Sequence, residues 1–252
     1  MRGMILAAGL GTRMKPLTDR LPKPLLPVAG YPLIAYPLGL LKAAGITDVV
    51  VNIHHLGHLI EKQLAGCADE GMNITFSRET SLLETGGGIA RAAKLIGDDT
   101  FVVLNADAIC DIDLREVIED HHRYNAIATM VLRKNPDTAT IPIVEWDSNS
   151  RHVVDIRSEL GVKYSYSLPL MFTGIHIFGP DVFDYLIPMR ESVIDGFYLP
   201  AIRENRHIHG YVFDGYWEDI GTLDRYERAR AVVSPTSLQA FQPLNIPTVD
   251  LA

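Results

Sequence analysis

The feature that most constrains the fold is an alternation of short apolar runs with amphipathic segments through the first 106 residues. Runs of four to seven apolar residues that stop at glycine or a polar residue are typical of buried strands, and the segments between them have helical periodicity. Strand–helix–strand units of this spacing predict a parallel sheet with helices on both faces. The predicted strands are 2–8, 48–53, 73–77 and 100–106, and the predicted helices are 33–44, 56–65 and 88–96.

Beyond residue 126 the pattern changes to strands joined by short turns, which predicts mixed or antiparallel additions to the same sheet. We therefore expect one α/β domain over residues 1–232 with a mixed, mostly parallel central sheet. The proline-containing tail, 233–252, has little periodicity and is expected to pack loosely. The predicted strands of this half are 127–133, 141–146, 152–156, 170–178 and 207–213, with a short helix at 181–186 and a closing helix at 222–232 capped by Thr222.

Composition excludes several classes of protein. Hydrophobic residues make up 47% and the formal net charge is −8, which argues against disorder and against a nucleic-acid-binding surface. Cys67 and Cys110 are too few for a disulfide framework and lie in no metal-binding pattern, so we expect reduced thiols and a cytoplasmic protein. The uncharged stretch Pro24–Leu41 contains four prolines, which argues against a membrane-spanning helix.

A glycine-rich turn follows the first predicted strand. Gly9 and Gly11 come at its carboxyl end, where open α/β sheets bind ligands and where glycine lets backbone N–H groups approach phosphate oxygens. Met14 replaces the third glycine of a dinucleotide fingerprint, and no GK[ST] triplet follows. Taken alone, the two glycines favour a tight turn with solvated basic neighbours over a phosphate site. Four cations come within eleven residues of this turn: Arg13, Lys15, Arg20 and Lys23.

Two further segments carry possible chemistry. The triplet Gly86–Gly88 taken alone fits a helix start with flexible glycines, and whether it also serves a ligand is open at this point. Asp107 directly follows a buried strand, so its carboxylate either caps the next turn or binds a hard cation such as Mg²⁺.

As a whole, GLGTRMKPLT at 9–18 and PKPLL at 22–26 resemble the signature of the sugar-1-phosphate nucleotidyltransferases. The resemblance implies a Rossmann-like, three-layer nucleotidyltransferase (GT-A-like) fold. It also implies that the glycine turn wraps the triphosphate and base, with Arg13 and Lys23 as the catalytic cations on the phosphates. The glycines at 86–88 then correspond to the family's nucleobase-recognition segment, where glycine backbone leaves room for a flat ring. The nucleotide-binding residues that it implies are Leu6, Ala8, Gly9, Gly11, Thr12, Arg13, Lys23, Gly86 and Asn105.

The same resemblance implies the metal and sugar sites. NAD at 105–107 and WEDIGT at 217–222 match the family's metal-binding segments, which makes Asp107 and Asp219 the ligands of Mg²⁺. Thr85 and Gly174 correspond to its sugar side. The E-K-P segment that holds the sugar phosphate in many relatives is missing, and Glu159 with Lys163 is only a loose substitute.

The predicted reaction joins a nucleoside triphosphate to a sugar 1-phosphate, without nucleic-acid or membrane partners, in a monomer or small homo-oligomer. LETGGG at 83–88 resembles the N-acetylmuramate-1-phosphate uridylyltransferase branch, which favours UTP and a role in cell-wall recycling. Guanylyl or thymidylyl transfer to mannose-, heptose- or glucose-1-phosphate remains an alternative, as does a non-catalytic nucleotide-sugar sensor. A glycosyltransferase is a third, with Asp111 and Asp113 as a poor DxD motif.

Overall fold

The computed structural model describes residues 1–134, 143–161, 167–234, 236 and 238–249. Its strands are β1 (Arg2–Leu6), β2 (Pro27–Val28), β3 (Tyr31–Pro32), β4 (Asp48–Ile53), β5 (Asn73–Arg78), β6 (Phe101–Asn105), β7 (Ala108–Cys110), β8 (Ala128–Lys134), β9 (Ile143–Asp147), β10 (Val153–Ile156), β11 (Ser167–Phe178), β12 (Ile208–Val212) and β13 (Trp217–Asp219). The helices are α1 (Ala35–Ala43), α2 (Gly57–Leu64), α3 (Glu84–Ile96), α4 (Leu114–Arg123), α5 (Leu199–Arg203) and α6 (Leu223–Val232).

A nine-stranded sheet organises the described residues. Strands β5, β4, β1 and β6 are parallel neighbours, and β11 joins them antiparallel to β6. Strands β8 and β9 both pair antiparallel with β11, β12 is parallel to β8, and β10 closes one edge antiparallel to β9. Every strand of this sheet except β10 and β11 therefore runs in the direction of β1. The predicted mixed, mostly parallel α/β sheet is confirmed.

Layers form because neighbouring residues of β1 point to opposite faces of the sheet. Ile5 belongs to the apolar core that includes α1, whereas Met4 belongs to the separate core that includes α3. Gly3 allows the close approach of α1, since a Cβ there would lie 2.7 Å from a methyl carbon of Leu41. The sheet therefore has helices on both faces, with β1 near its centre.

Several predicted elements differ from the observed ones. Helix α3 begins at Glu84, so the glycine triplet lies inside its first turns and not before them. The predicted helix 181–186 is a 3₁₀ turn at Pro180–Asp184. The ribbon of β7 and β13 and the helical segment Ile194–Arg203 were not predicted. Residues 141 and 142 of one predicted strand lie outside the described residues.

The described part of the tail packs against α1, which differs from the loose packing expected from its prolines. The ring of Phe241 stacks on that of Tyr36 with centroids 4.9 Å apart. Gly39 accommodates this packing, because a Cβ there would lie 2.6 Å from the carbonyl oxygen of Gln242. Four apolar residues thus anchor the segment without regular periodicity: Leu238, Phe241, Leu244 and Ile246.

The remaining expectations concern the thiols and the uncharged stretch. Cys67 and Cys110 are buried and free, as predicted. Pro24–Leu41 forms part of a 3₁₀ turn, the β2–β3 hairpin and most of α1. In the described ranges, every helix is too short or too polar to cross a bilayer.

Candidate active site

Two adjoining cavities open where β1, β4 and β6 end, and Asn105 lines both. The first has a volume of about 410 Å³, and we call it the β1-side cavity; it is lined by Leu6, Ala8, Gly9, Asn52, Leu82, Glu84, Thr85, Asn105, Asp107 and Ser192. The second has a volume of about 530 Å³, and we call it the β11-side cavity; it is lined by Arg13, Asn105, Ala108, Met171, Phe172, Thr173, Gly174, Trp217, Asp219, Thr222 and Arg225.

The glycine turn closes tightly at Gly11 and stays open at Gly9. Gly11 has φ +64°, and a Cβ there would lie 2.9 Å from Thr18 Cγ2. The Thr18 hydroxyl also donates to the Gly11 carbonyl at 2.8 Å, which fixes the turn. A Cβ at Gly9 would meet no atom within 4 Å, so this side of the turn faces open space. Thr12 and Arg13 begin the following 3₁₀ turn, and both lie at the surface.

Lys23 lies beneath this turn and is 9% exposed. Its Nζ donates to Asp107 Oδ2 and forms an ion pair with it. Burying an ammonium group is costly unless an anion accompanies it, so the two side chains depend on each other for their position. The structure therefore brings together the predicted phosphate-binding lysine and the predicted metal ligand.

Asp219 reaches Asp107 through the β7–β13 ribbon. The ribbon places Asp219 opposite Ala108, and the amide of Ile220 donates to the Asp107 carbonyl at 2.9 Å. Burial raises the pKa of the Asp219 carboxyl, and the nearby charge of Asp107 raises it further against the opposing effect of Lys23 and Arg225. The two predicted metal ligands, 112 positions apart in the chain, thus lie within electrostatic reach of each other.

This donor set suits a divalent cation that also binds phosphate. Mg²⁺ is commonly held by one or two carboxylates together with substrate phosphates, and two repelling carboxylates gain from a cation between them. Across the described ranges no group of three His, Cys, Asp or Glu side chains could hold a metal ion. Asp107 and Asp219 therefore fit a Mg²⁺ site in which two carboxylates bind the ion and substrate phosphates supply further ligands.

The glycine triplet contacts the protein's own chain. The amides of Gly86 and Gly87 donate to the carbonyl of Glu191 at 2.9 and 3.2 Å, and the Glu191 amide donates to the Leu83 carbonyl at 3.1 Å. A Cβ at Gly87 would lie 1.9 Å from the carbonyl oxygen of Met189. The Cβ sides of Gly86 and Gly87 thus face residues 189–192, so the room that we expected for a flat ring does not lie on this side of the helix, and the amide of Gly86 is already hydrogen-bonded.

The two predicted sugar-side residues, Thr85 and Gly174, line different cavities. Thr85 lines the β1-side cavity, and its Oγ1 accepts a hydrogen bond from the amide of Val193 at 2.9 Å. Gly174 lines the β11-side cavity, in a bulge of β11 with φ +82°. A Cβ at Gly174 would lie 2.2 Å from Asn105 Nδ2, so glycine allows β11 to approach β6 here.

A buried polar network supports the β1-side cavity and was not predicted. Asn52 Oδ1 accepts from the amide of Ala7 at 2.7 Å, while its Nδ2 donates to Glu79 Oε1 at 2.7 Å. Glu79 Oε2 accepts from the amide of Leu83 at 3.0 Å, and a Cβ at Gly88 would lie 2.7 Å from Asn52 Nδ2. An asparagine inside the apolar run DVVVNI was the one sequence signal for this network.

Other candidate residues lie elsewhere. Glu159 lines a separate cavity together with His152 and Arg206, and Lys163 lies outside the described residues. Asp113 caps α4 through the amide of Arg115. Asp111 accepts from the amide of Ala240 at 2.8 Å. The two aspartates of the poor DxD motif therefore have structural hydrogen bonds.

The family model described as "Nucleotidyl transferase" matches residues 2–234. The chain belongs to this family. The predicted resemblance to the sugar-1-phosphate nucleotidyltransferases is thereby confirmed, while the roles of individual residues stay predictions.

Relatives with different substrates resemble this member of the family. The chain is 37% identical to an N-acetylmuramate α-1-phosphate uridylyltransferase of Neisseria meningitidis, over 92% of this chain and 98% of the relative. It is 33% identical to a mannose-1-phosphate guanyltransferase of Candida albicans over 88% of its own length, and spans about three fifths (61%) of that enzyme. A Bacillus anthracis protein assigned as a glucose-1-phosphate thymidylyltransferase has the same fold, with TM-score 0.79, 25% identity and coverage of 92% and 94%.

Proposed function

We propose that the protein transfers a nucleotidyl group from a nucleoside triphosphate to a sugar 1-phosphate, releasing pyrophosphate. The observation that carries this proposal is the pair of adjoining cavities that share Asn105, with Asp107 on one side and Asp219 on the other. Two substrates must meet at one phosphorus atom, and this arrangement offers each a cavity while keeping both next to the carboxylates.

The chemistry needs little from side chains as acids or bases. A phosphate oxygen of the sugar 1-phosphate attacks the α-phosphorus, a new P–O bond forms, and the bond to the bridging oxygen of pyrophosphate breaks. The attacking oxygen is already ionised near neutral pH, so no general base is required. The remaining task is to align two anions and to neutralise their charge, which cations and positioning accomplish.

The chain's own residues divide this task. The open side of the turn at Gly9 leaves space for phosphates to approach the backbone, and Arg13 lies beside the turn as an exposed cation. Lys23, already fixed on Asp107, lies between the turn and the carboxylates. Asp107 and Asp219 would hold Mg²⁺, which when bound neutralises phosphate charge and stabilises the leaving pyrophosphate.

Among the possible substrates we propose UTP and N-acetylmuramate 1-phosphate, and hence a cytoplasmic role in peptidoglycan recycling. The full-length similarity to the Neisseria uridylyltransferase supports this choice. The similarity to the Candida guanyltransferase, which covers only part of that enzyme, supports GTP with mannose 1-phosphate as the second candidate. We propose a monomer or small homo-oligomer.

A substrate panel tests the proposal. Purified protein with MgCl₂ is offered UTP, GTP and dTTP, each with the 1-phosphates of N-acetylmuramate, mannose and glucose, and pyrophosphate and nucleotide sugar are quantified. We expect the highest kcat/KM, by about tenfold or more, for UTP with N-acetylmuramate 1-phosphate, since buried polar groups discriminate strongly between ligands. A higher kcat/KM for another combination would identify that nucleotide and sugar phosphate as the substrates instead. If the protein binds these ligands but releases pyrophosphate in no combination, it is a non-catalytic nucleotide-sugar sensor and not an enzyme.

A further inference from the structure

The β11-side cavity has few charged side chains, and they differ in what they can bind. Its charged lining residues in the described part of the chain are Arg13, Asp219 and Arg225. A sugar 1-phosphate is a dianion near neutral pH, so its cavity needs at least one cation directed at the phosphate. We propose, on the basis of the proposed function, that the guanidinium of Arg225 binds the phosphate of the sugar 1-phosphate.

Arg225 is held in place by the start of α6. Its amide donates to Oγ1 of Thr222, the residue that caps the helix, at 3.4 Å. Its Nη1 donates to Asp219 Oδ2 at 2.9 Å, and its side chain is 28% exposed. The guanidinium is therefore half-buried, aligned by a carboxylate, and positioned at the wall of the cavity.

The guanidinium has donors to spare. A guanidinium carries five N–H donors in a planar fork, and among the described residues Asp219 is its one hydrogen-bond partner. Planar forks bind phosphate in a bidentate manner, which gives both affinity and orientation. Arg225 can thus hold a phosphate on its free edge while its other edge stays on Asp219, next to the proposed metal site.

The other nearby cations have different partners or assignments. Lys23 is buried on Asp107, at the β1-side cavity. Arg13 also lines the β11-side cavity, but it comes directly after the glycine turn and the resemblance assigns it to the nucleotide phosphates. The loosely matching Glu159 lines a separate cavity, so it cannot supply a partner for a clamp here. Arg225 is therefore the cation left for the second substrate.

Apolar side chains complete a sugar subsite beside this cation. Trp217 and Phe172 line the same cavity. The indole N–H of Trp217 donates to the Thr173 carbonyl at 3.0 Å, and Arg133 lies over its ring at 5.7 Å from the centroid. A ring fixed on one face and at its N–H edge in this way is a rigid wall, which suits a sugar whose phosphate is held by Arg225.

The test separates the two substrates. Arg225→Gln and Arg225→Lys are compared with the wild type. Kinetics give the KM for N-acetylmuramate 1-phosphate and the KM for UTP, and calorimetry gives the equilibrium Kd of UDP-N-acetylmuramate and of UMP. We expect Arg225→Gln to raise the KM for the sugar phosphate and the Kd of the nucleotide sugar by about tenfold or more, from the loss of a charge-assisted fork. The KM for UTP and the Kd of UMP should stay within about twofold of the wild-type values. Arg225→Lys should give sugar-phosphate constants between those of the wild type and of Arg225→Gln.

A matched control is available on the same helix. Arg228 is exposed and pairs with Glu218 away from the cavity, so Arg228→Gln should leave all four constants unchanged. Equal losses for both substrates would mean that Arg225 merely balances the charge of Asp219, and unchanged sugar-phosphate constants would also overturn the proposal. Failure of wild-type turnover with every substrate pair would instead contradict the proposed function. Arg225→Lys keeps the test decisive if the glutamine variant does not fold.

Discussion

The two cavities are built by different means. The β1-side cavity is shaped largely by backbone, through the glycine turn and the carbonyl of Glu191, and the buried side chains of Asn52 and Glu79 support that backbone. The β11-side cavity is shaped by side chains that converge from separate strands and a helix. A cavity shaped by backbone is recognisable in a sequence as a compact glycine motif, whereas a cavity shaped by side chains is built from residues scattered along the chain. The difference explains why the sequence shows motifs for the β1-side cavity and only scattered residues for the β11-side cavity.

A parallel contrast exists in the charges. Each cavity contributes one of the two proposed metal ligands, and among the described residues each of these carboxylates forms an ion pair with one cation. Lys23 is nearly buried on Asp107, its side chain being 10% exposed, while Arg225 on Asp219 is 28% exposed. The first pair is therefore expected to contribute both to folding and to catalysis, and the second mainly to function.

The largest expected effect comes from removing either carboxylate charge. Asp107→Asn and Asp219→Asn should each lower kcat by about 10³-fold or more, because charge neutralisation by the metal carries much of phosphoryl-type transfer. Both variants should fold. Asp107→Asn should show the lower Tm, since it leaves the buried Lys23 ammonium without its anion. Pyrophosphate release and thermal melts check both statements.

Two outcomes would break this comparison. Near-normal magnesium-dependent turnover in either variant would remove that carboxylate from the metal site. A Tm loss that is larger for Asp219→Asn would show that the two ion pairs have the opposite roles in folding.

The next effect concerns the backbone wall of the β1-side cavity. Gly87→Ala should lower the free energy of unfolding by about 3 kcal/mol, because its Cβ would overlap the Met189 carbonyl and force residues 189–193 away from α3. Gly66→Ala is the matched control, since a Cβ at Gly66 meets nothing within 4 Å. Urea unfolding measures the free energy of unfolding of both variants. Equal values for Gly87→Ala and Gly66→Ala would mean that Gly87 has no packing role.

These glycines also mark the limit of prediction from sequence. The motif itself was visible, and so were the strands around it, because burial and periodicity leave local patterns. What the glycines contact was not visible, since Glu191 lies more than one hundred residues away along the chain. Arg225 was missed for the same reason: a single arginine on an exposed-looking helix has no local signature until the β7–β13 ribbon delivers Asp219 to it.

The smallest effect concerns the layer below the β11-side cavity. His176 follows Gly174 on β11, is 1% exposed, and its Nδ1 hydrogen-bonds with the Tyr198 hydroxyl at 2.7 Å. Burial lowers the pKa of His176 to about 3. The folded state therefore keeps this imidazole neutral, whereas the unfolded chain binds a proton as the pH falls below about 6.5. The stability contributed by the neutral group is present above that value and is lost progressively as the pH falls towards about 3.

The pH dependence of unfolding tests this assignment. Between pH 7 and pH 5 we expect His176 to account for a loss of about 2 kcal/mol in the free energy of unfolding, from about 1.4 kcal/mol per pH unit below the unfolded pKa. His176→Phe, which suits the neighbouring rings of Phe172 and Phe178, should reduce that slope even if it lowers stability at pH 7 by leaving Tyr198 unpaired. His58→Gln, on the exposed face of α2, is the control. An unchanged slope in the phenylalanine variant would mean that His176 binds a proton as readily in the folded protein as in the unfolded chain, and that the layer below the β11-side cavity does not exclude the charged imidazole.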